Sequence, residues 1–194
     1  LMTLTHAQML ALWRRAAGLE ESRSDCSIEQ FEGLDSDAAI ATAMRQWYLN
    51  LLDTAPLRHL QLTDIAAGLQ LKADSEVPGK YSIQLPANVR RACSLVLVGS
   101  VLSVPILESG SVASPDMARL AALQANPFSR AGALRPVAVR SGSTVTLFSA
   151  SQAVPVLSRL WAVVDPGDET YVMDESALSL LPNPYSLDPC KTSN

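Results

Sequence analysis

The sequence has few of the residues that build metal sites and disulfide frameworks. Its 194 residues include two histidines and three cysteines. Neither His6 nor His59 has a second metal-type ligand two or four residues away, whereas catalytic zinc sites use three protein ligands. Cys26, Cys93 and Cys190 cannot all pair and lack a CxxC spacing, so neither a disulfide scaffold nor a zinc module is expected. The sequence predicts no metal and no cofactor, and Cys93 is expected to be a small core residue.

Motifs of catalysis and nucleotide binding are also missing. The chain contains no GxSxG nucleophile elbow, no GxxxxGK[ST] phosphate loop and no GxGxxG fingerprint. The acidic pairs Asp35/Asp37 and Asp174/Glu175 stand where helix N-caps are expected, and capping accounts for them without chemistry. We therefore predict that the protein is not an enzyme. The enzyme alternative would require a deep pocket with converging polar groups and a displaced pKa.

No apolar run is long enough for a membrane helix. The longest uncharged apolar stretch, residues 92–106, is interrupted by serines, Gly99 and Pro105 and is shorter than the roughly 20 residues that a span requires. The first residues show no secretion-signal pattern. A content of 48% hydrophobic and 18% charged residues is typical of a soluble globular chain with one core and room for a small helical appendage. No contact with a membrane is expected.

Charge is segregated along the chain. Residues 1–76 hold six basic and eleven acidic side chains, a net charge of −5, and residues 165–194 also carry −5. Residues 77–164 hold eight basic and two acidic side chains, a net charge of +6. Such blocks suit head-to-tail self-association or contact with a polyanion. The alternative is that folding mixes these charges on one surface.

Two N-terminal helices are predicted from capping residues and apolar periodicity. Thr5 and Gln8 form a capping box at the start of a helix over 6–17. A second helix over 37–53 carries apolar residues at spacings of four, three and four, namely Ile40, Met44, Trp47 and Leu51. We expect Trp47 to be buried between the helices and a sheet.

From residue 57 onward the apolar residues alternate, which indicates strands. The alternating segments are 69–71, 81–85, 95–101, 136–140, 144–148 and 156–164, with 171–173 as an extension of the last. Residues 141–143 predict a hairpin turn, and Ser114-Pro115-Asp116 predicts one inserted short helix over 115–125. Asp174 is expected to cap a last short helix through residue 181.

These elements together predict an α+β fold with N-terminal helices packed on an antiparallel β-sheet or sandwich. The expected organisation is a helical segment over 1–56, a β-rich core with short helices over 57–181 and an extended tail over 182–194.

Four segments in order carry a resemblance to a known family. They are IQLPANVRRACSLVLVG, SPDMARLAALQANPFSR, LRPVAV and VTLFSAS, the last followed by a strand that ends at VVDP. In this arrangement, which covers roughly half of the chain over residues 79–166, the sequence resembles the short head-to-tail connector or neck-ring proteins of tailed phages and prophages of gut bacteria.

The resemblance implies a structural virion protein whose copies pack side by side into a ring beneath a portal and pass DNA through the opening. Its partners would be copies of itself and neighbouring virion proteins such as the portal. Its location would be the virion, or the bacterial cytoplasm during assembly. An acidic chain suits a conduit that does not grip phosphates. The alternative is a nucleic-acid-contacting accessory protein that uses the arginine-rich block over 77–164.

Candidate interface residues follow from the basic spots, one loop aromatic and the tail. They are Arg90, Arg91, Asn126, Pro127, Phe128, Arg130, Arg135, Tyr185 and Leu187. Phe128 stands in an otherwise polar loop, where it either plugs the sheet edge of its own chain or anchors a neighbouring subunit. Tyr185 and Leu187 lie in a proline-rich segment that is too short for a core of its own.

Overall fold

The computed structural model describes residues 1–16, 36–108, 126, 131–132, 135–149 and 154–181 of the chain. In chain order the elements are β1 (Met2–Thr5), α1 (His6–Ala16), α2 (Ser36–Thr54), the 3-10 helix η1 (Leu57–His59), β2 (Thr63–Asp64), β3 (Lys72–Ala73), β4 (Lys80–Gln84), β5 (Val89–Leu97), β6 (Ser103–Glu108), β7 (Val137–Ser141), β8 (Thr144–Phe148), β9 (Leu157–Val164), β10 (Thr170–Met173) and the 3-10 helix η2 (Glu175–Leu180). The predicted α+β class is confirmed. The predicted helix over 115–125 and the tail over 182–194 lie outside the described residues.

The chain divides into two compact units. Residues 1–61 and 165–194 form one, which we call the terminal unit, and residues 62–164 form the other, the sheet unit. This division differs from the sequence expectation of a single β-rich core over 57–181. Residues 170–173 pair with β1 in the terminal unit instead of extending β9.

The terminal unit is built on the antiparallel pairing of β1 with β10, from Met2 opposite Met173 to Thr5 opposite Thr170. The predicted capping box at the start of α1 is confirmed. The Thr5 amide donates to Gln8 Oε1 at 3.0 Å, and the Gln8 amide donates to Thr5 Oγ1 at 3.3 Å. Because Thr5 ends the strand and caps the helix, one residue joins both elements.

Helix α2 buries two residues of the predicted stripe, Met44 and Leu51, together with Tyr48 and Leu52, which the stripe did not include. The expectation that Trp47 is buried between helices and sheet is wrong, because Trp47 is only partly buried. Its ring packs edge-on against Trp13 with 5.5 Å between centroids, and its Nε1 donates to the Leu180 carbonyl at 3.2 Å. The indole N–H therefore finds its partner at the margin of the core.

The sheet unit contains eight strands in the order β2-β9-β5-β6-β7-β8-β4-β3. The predicted hairpin is confirmed as β7 and β8, which pair from Ser141–Thr144 to Val137–Phe148. Its two-residue loop begins with Gly142 at φ +59, the position where a type II′ turn needs glycine.

Irregular pairing changes which residues of β5 face the core. The register between β5 and β9 shifts between Val89 and Arg91 and again between Ala92 and Ser94. Each shift has the character of a β-bulge, which turns the following side chains to the other face. As a result Val89, Ala92 and Leu95 are all buried at a spacing of three. Alternation by two, which is the sequence signal for a strand, is lost over this stretch.

Strand β6 departs from the predicted antiparallel arrangement. It pairs antiparallel with β5 through Ser103–Pro105 and then parallel with β7 through Ile106–Glu108. Pro105, which has no N–H to donate, stands where the partner changes. A parallel pair requires a crossover of about a dozen residues or more, and residues 109–136 supply that length.

The core of the sheet unit draws on the whole of this sheet. Its buried side chains are Leu71, Tyr81, Ile83, Leu85, Val89, Ala92, Leu95, Leu97, Val104, Ile106, Ala138, Val145, Leu147, Leu160 and Ala162. Every member of this cluster lies within residues 62–164, so the described core of the sheet unit is formed by one continuous segment of the chain.

Candidate functional site

The predicted interface residues have different environments where the structure describes them. Arg90 and Arg91 at the start of β5 are each partly buried, whereas Asn126 and Arg135 are exposed. The Arg135 amide donates to the Gly132 carbonyl at 3.0 Å. Pro127, Phe128, Arg130, Tyr185 and Leu187 lie outside the described residues. Both interpretations of Phe128, a plug or a subunit anchor, therefore stay predictions.

Arg140, an arginine of the basic block, acts inside the sheet unit. Its side chain is 12% exposed, and its Nη1 and Nη2 donate to the carbonyls of Arg90 at 2.6 Å and Val89 at 3.0 Å. Its Nε donates to the Gly142 carbonyl at 2.8 Å, and Nη1 also lies 3.2 Å from Glu108 Oε1. These contacts join the start of β5 to the β7–β8 hairpin within the sheet unit, so the guanidinium is a structural group.

Sequence reasoning did not find a buried arginine cluster in the terminal unit. Arg45 on α2 donates to Asp165 at 2.5 Å through Nη2 and to Asp168 at 2.8 Å through Nε. Its guanidinium carbon lies 5.7 Å from the Tyr48 ring centre and 5.9 Å from that of Tyr171. Burial alone would lower the pKa of Arg45, but the hydrogen bond and charge of Asp165, with the charge of Asp168, raise it above its usual value. Arg45 therefore stays charged.

Tyr48 joins the Arg45 cluster to strand β10. Its hydroxyl donates to the Val172 carbonyl at 3.0 Å and accepts the Val172 amide at 2.9 Å. Burial raises the pKa of Tyr48 to about 12. No local sequence pattern predicts these contacts, because more than a hundred residues separate α2 from β10.

A histidine, a serine and an aspartate meet beside η2. His59 Nδ1 lies 2.6 Å from Ser176 Oγ, which in turn donates to Asp174 Oδ1 at 2.7 Å. Because Arg58 Nε donates to His59 Nε2 at 3.1 Å, the network assigns the histidine proton to Nδ1. In a hydrolase triad the serine would give its proton to histidine, whereas here the serine proton points at the carboxylate.

This cluster serves as a helix cap. Asp174 also accepts the Ser176 amide at 3.1 Å, and the predicted cap of the last short helix is confirmed. The hydrogen bonds from Ser176 lower the pKa of Asp174.

Burial raises the pKa of the partly buried Cys93 thiol. Within the described ranges, no group of three or more histidine, cysteine, aspartate or glutamate side chains is arranged to hold a metal ion.

The sequence ranges of the two units differ in net charge. The terminal unit holds six basic and fourteen acidic residues for a net charge of −8, and the sheet unit holds nine basic and five acidic residues for +4. Residues 1–61 of the first acidic block and all of the second block, 165–194, belong to the same unit, in which β1 pairs with β10. Summed over their sequence ranges, the two units therefore carry net charges of opposite sign.

An exposed apolar surface lies at one end of β5 and β9, and we call it the apolar tip. Its members and their exposed fractions are Val98 (64%), Val101 (100%), Leu102 (62%), Val154 (49%) and Val156 (64%). The Val98 amide donates to the Val156 carbonyl at 2.8 Å, which holds the β5–β6 turn beside the segment that leads into β9. Clusters of exposed aliphatic side chains are uncommon on soluble monomers and mark interaction surfaces.

A shallow groove lies on the terminal unit where α2 ends beside η2. It encloses about 360 Å³ and is lined by Trp47, Asn50, Leu51, Thr54, Ala55, Pro56 and Leu180. Leu180 on its rim is 44% exposed, and Leu57, next along the chain from Pro56, is 39% exposed. The groove therefore offers a mainly apolar floor to a side chain from outside.

Comparison with known proteins returns no family model and no curated protein that matches this chain. In the part of the chain that the structure describes, no helix has both the length and the apolar character to cross a bilayer.

Proposed function

We propose that this protein is a structural subunit that assembles head-to-tail with copies of itself, as part of a tailed-phage head-to-tail connector ring. The observation that carries the proposal is the separation of charge, with −8 on the terminal unit and +4 on the sheet unit. Oppositely charged units favour contacts between the terminal unit of one copy and the sheet unit of the next. Such contacts are heterologous, and heterologous contacts close into rings or extend as filaments.

Three of the four segments behind the phage resemblance lie wholly or mostly in the described part of the sheet unit, and the second, over 114–130, lies outside the described residues apart from Asn126. The first runs from β4 through β5, the third leads into β7, the fourth begins in β8, and the strand that ends at VVDP is β9. These strands belong to one eight-stranded sheet. A shared sheet is compatible with the resemblance, and the proposed location, a virion or the host cytoplasm during assembly, follows from the resemblance alone.

The charges and hydrogen bonds of the arginine block bear on the role of DNA. Each phosphate that a protein neutralises adds a salt-dependent term to its DNA affinity. A conduit that lets DNA pass should bind few phosphates. The chain as a whole carries −4, and Arg140 directs its guanidinium to backbone carbonyls of its own unit. Passage of DNA without specific contact agrees with both facts.

Sedimentation velocity over a concentration series, combined with negative-stain microscopy, tests this function. Without a portal as template, we expect monomers at micromolar concentration and rings or arcs at high concentration. Raising the ionic strength from about 0.1 M to about 1 M shortens the screening length from about 10 Å to about 3 Å and should weaken the association. A tight twofold dimer would contradict the proposal, because an isologous interface closes at two copies.

Charge variants provide the matched control. Arg159→Glu and Glu76→Lys alter exposed positions of the sheet unit by two charges in opposite directions. The first should weaken self-association, and the second should leave it unchanged or strengthen it. Fluorescence anisotropy with duplex DNA tests the nucleic-acid alternative, which would be favoured by tight binding that falls steeply with salt.

A further inference from the structure

We propose that the apolar tip of one copy inserts into the groove between α2 and η2 of the next copy. This contact rests on the self-association proposed above and assigns its two surfaces. Val101 is fully exposed and its neighbour Leu102 is 62% exposed, so the described chain leaves both side chains to solvent. Burying them against a partner removes apolar surface from water.

The tip is preorganised for insertion. Gly99 adopts φ +79, and the Ser100 amide donates to the Leu97 carbonyl at 3.0 Å. The Leu102 amide lies 3.2 Å from Ser100 Oγ, and the same hydroxyl lies 3.2 Å from the Leu102 carbonyl. A turn held in this way loses little conformational freedom on binding, and lower ordering costs increase affinity.

The groove matches the tip in size and chemistry. Its volume of about 360 Å³ is at the lower end of the roughly 300–1,000 Å³ that ligand pockets occupy. That space suits a few aliphatic side chains rather than a whole helix or strand. Trp47 and Leu51 supply apolar lining, and Asn50 and Thr54 lie at the helix end.

Charge selects a second copy as the occupant of the groove. The tip belongs to the +4 unit, and exposed Arg159 lies on β9 opposite Val96, close in the sheet to Val98. The groove belongs to the −8 unit, where exposed Asp53 stands in the last turn of α2 and exposed Glu175 begins η2. Tip against groove therefore brings opposite charges together, whereas tip against tip would bring two positive units together.

The contact joins two different surfaces, the tip of one copy and the groove of another. Repeated in one direction, in which each copy gives its tip to one neighbour and its groove to another, the contact is heterologous, which is the type that the ring requires. The competing occupant of an uncharged apolar turn is a lipid surface, and the test below includes it.

Two single variants block one surface each. Val101→Asp places a charge on the tip, and Leu180→Glu places a charge on the groove rim. An unpaired charge in an apolar contact is costly, so each variant alone should weaken self-association about tenfold or more. Asn50→Trp fills the groove from an exposed helix position and replaces Leu180→Glu if that variant fails to fold. Val77→Asp adds the same charge at an exposed aliphatic site outside the tip and should associate like the wild type.

Mixing the two blocked variants is the decisive measurement. Val101→Asp retains a groove and Leu180→Glu retains a tip, so an equimolar mixture should form one contact per pair and stop at dimers in sedimentation velocity. A mixture that stays monomeric, or Val101→Asp that associates like the wild type, would overturn the proposal. Binding to vesicles of phosphatidylcholine and phosphatidylglycerol that is lost in Val101→Asp would also overturn it in favour of a lipid surface.

The outcomes separate this contact from the proposed function. If Val101→Asp forms rings as well as the wild type does, the proposed tip contact is wrong and the proposed ring stands. If the protein forms open filaments that depend on both surfaces, the proposed contact stands and the proposed ring is wrong. If the wild type and the mixture both remain monomeric at every concentration, the proposed contact and the proposed ring are both wrong.

Discussion

At the scale of single residues, the charged side chains that matter to the fold are used internally. Arg140 reaches three backbone carbonyls and one carboxylate while its side chain is 12% exposed. Arg45 is held between two carboxylates and two tyrosine rings. Charge counts along a sequence treat such arginines as surface charge. The net charge of each unit is nevertheless preserved, because pairing within a unit does not change its sum.

Replacing Arg140 tests its structural role. Arg140→Met removes the donor to the Val89 and Arg90 carbonyls in their part-buried setting, and an unsatisfied buried group costs roughly 1–3 kcal/mol, so we expect a loss of about 2 kcal/mol in the free energy of unfolding. Urea denaturation measures this quantity. Arg159→Met removes an exposed arginine of the same unit and should change stability by no more than about 0.5 kcal/mol. Equal effects of the two substitutions would contradict the role assigned to Arg140.

At the scale of elements, the terminal unit depends on side chains that join distant segments. Tyr48 joins α2 to β10 through both backbone groups of Val172. Thr5 joins β1 to α1. Each connection gives a partner to backbone groups that the regular secondary structure leaves without one.

The joint between α2 and β10 predicts a response to alkaline pH. Because the pKa of Tyr48 is raised to about 12 from 10.0, the unfolded chain loses this proton at lower pH than the folded chain. The Tyr48 contribution is thus fully present below pH 10 and is lost as the pH rises towards 12, a change of roughly 2–3 kcal/mol. We expect Tyr48→Phe to be less stable near neutral pH by roughly 1–3 kcal/mol, since Val172 loses both partners.

Denaturation of both proteins at several pH values checks this expectation. The stability gap between wild type and Tyr48→Phe should narrow as the pH rises from 10 to 12. Burial also raises the pKa of Tyr171, so the difference between the two proteins, not the slope of either alone, isolates Tyr48. A gap that is constant over this range would show that Tyr48 ionises at its ordinary pKa.

At the scale of the whole molecule, the two units differ in whether they are formed by one segment of the chain or by two. The sheet unit is one continuous segment whose core residues lie between Leu71 and Ala162. The terminal unit is assembled from residues 1–61 and 165–194. A continuous segment with its own core meets the usual condition for independent folding.

A fragment of residues 62–164 should therefore fold alone. We expect a cooperative urea transition and dispersed amide resonances that match those of the sheet unit in the full chain. Deleting residues 1–5 from the full chain removes β1 and should destabilise the terminal unit while these sheet resonances persist. A fragment without a cooperative transition would show that the sheet depends on the terminal unit.

What the sequence determined by itself is local. The capping box at Thr5, the two-residue turn at Gly142 and the cap at Asp174 each depend on residues within a few positions of one another, and all three were predictable. The α+β class followed from the change of apolar period after residue 56. The predicted face of α2 was confirmed at Met44 and Leu51 and wrong at Trp47, because periodicity alone does not tell which of two adjacent aromatics, Trp47 or Tyr48, meets the core.

Only the tertiary structure decided which distant segments meet. The pairing of β1 with β10, the parallel contact of β6 with β7 and the partners of Arg45 and Arg140 join residues far apart in sequence, and no local preference encodes them. The apolar tip was visible in the sequence only as part of an uncharged run. Its exposure depends on where β5 and β9 end, because burial is a property of the surroundings and not of the residue itself.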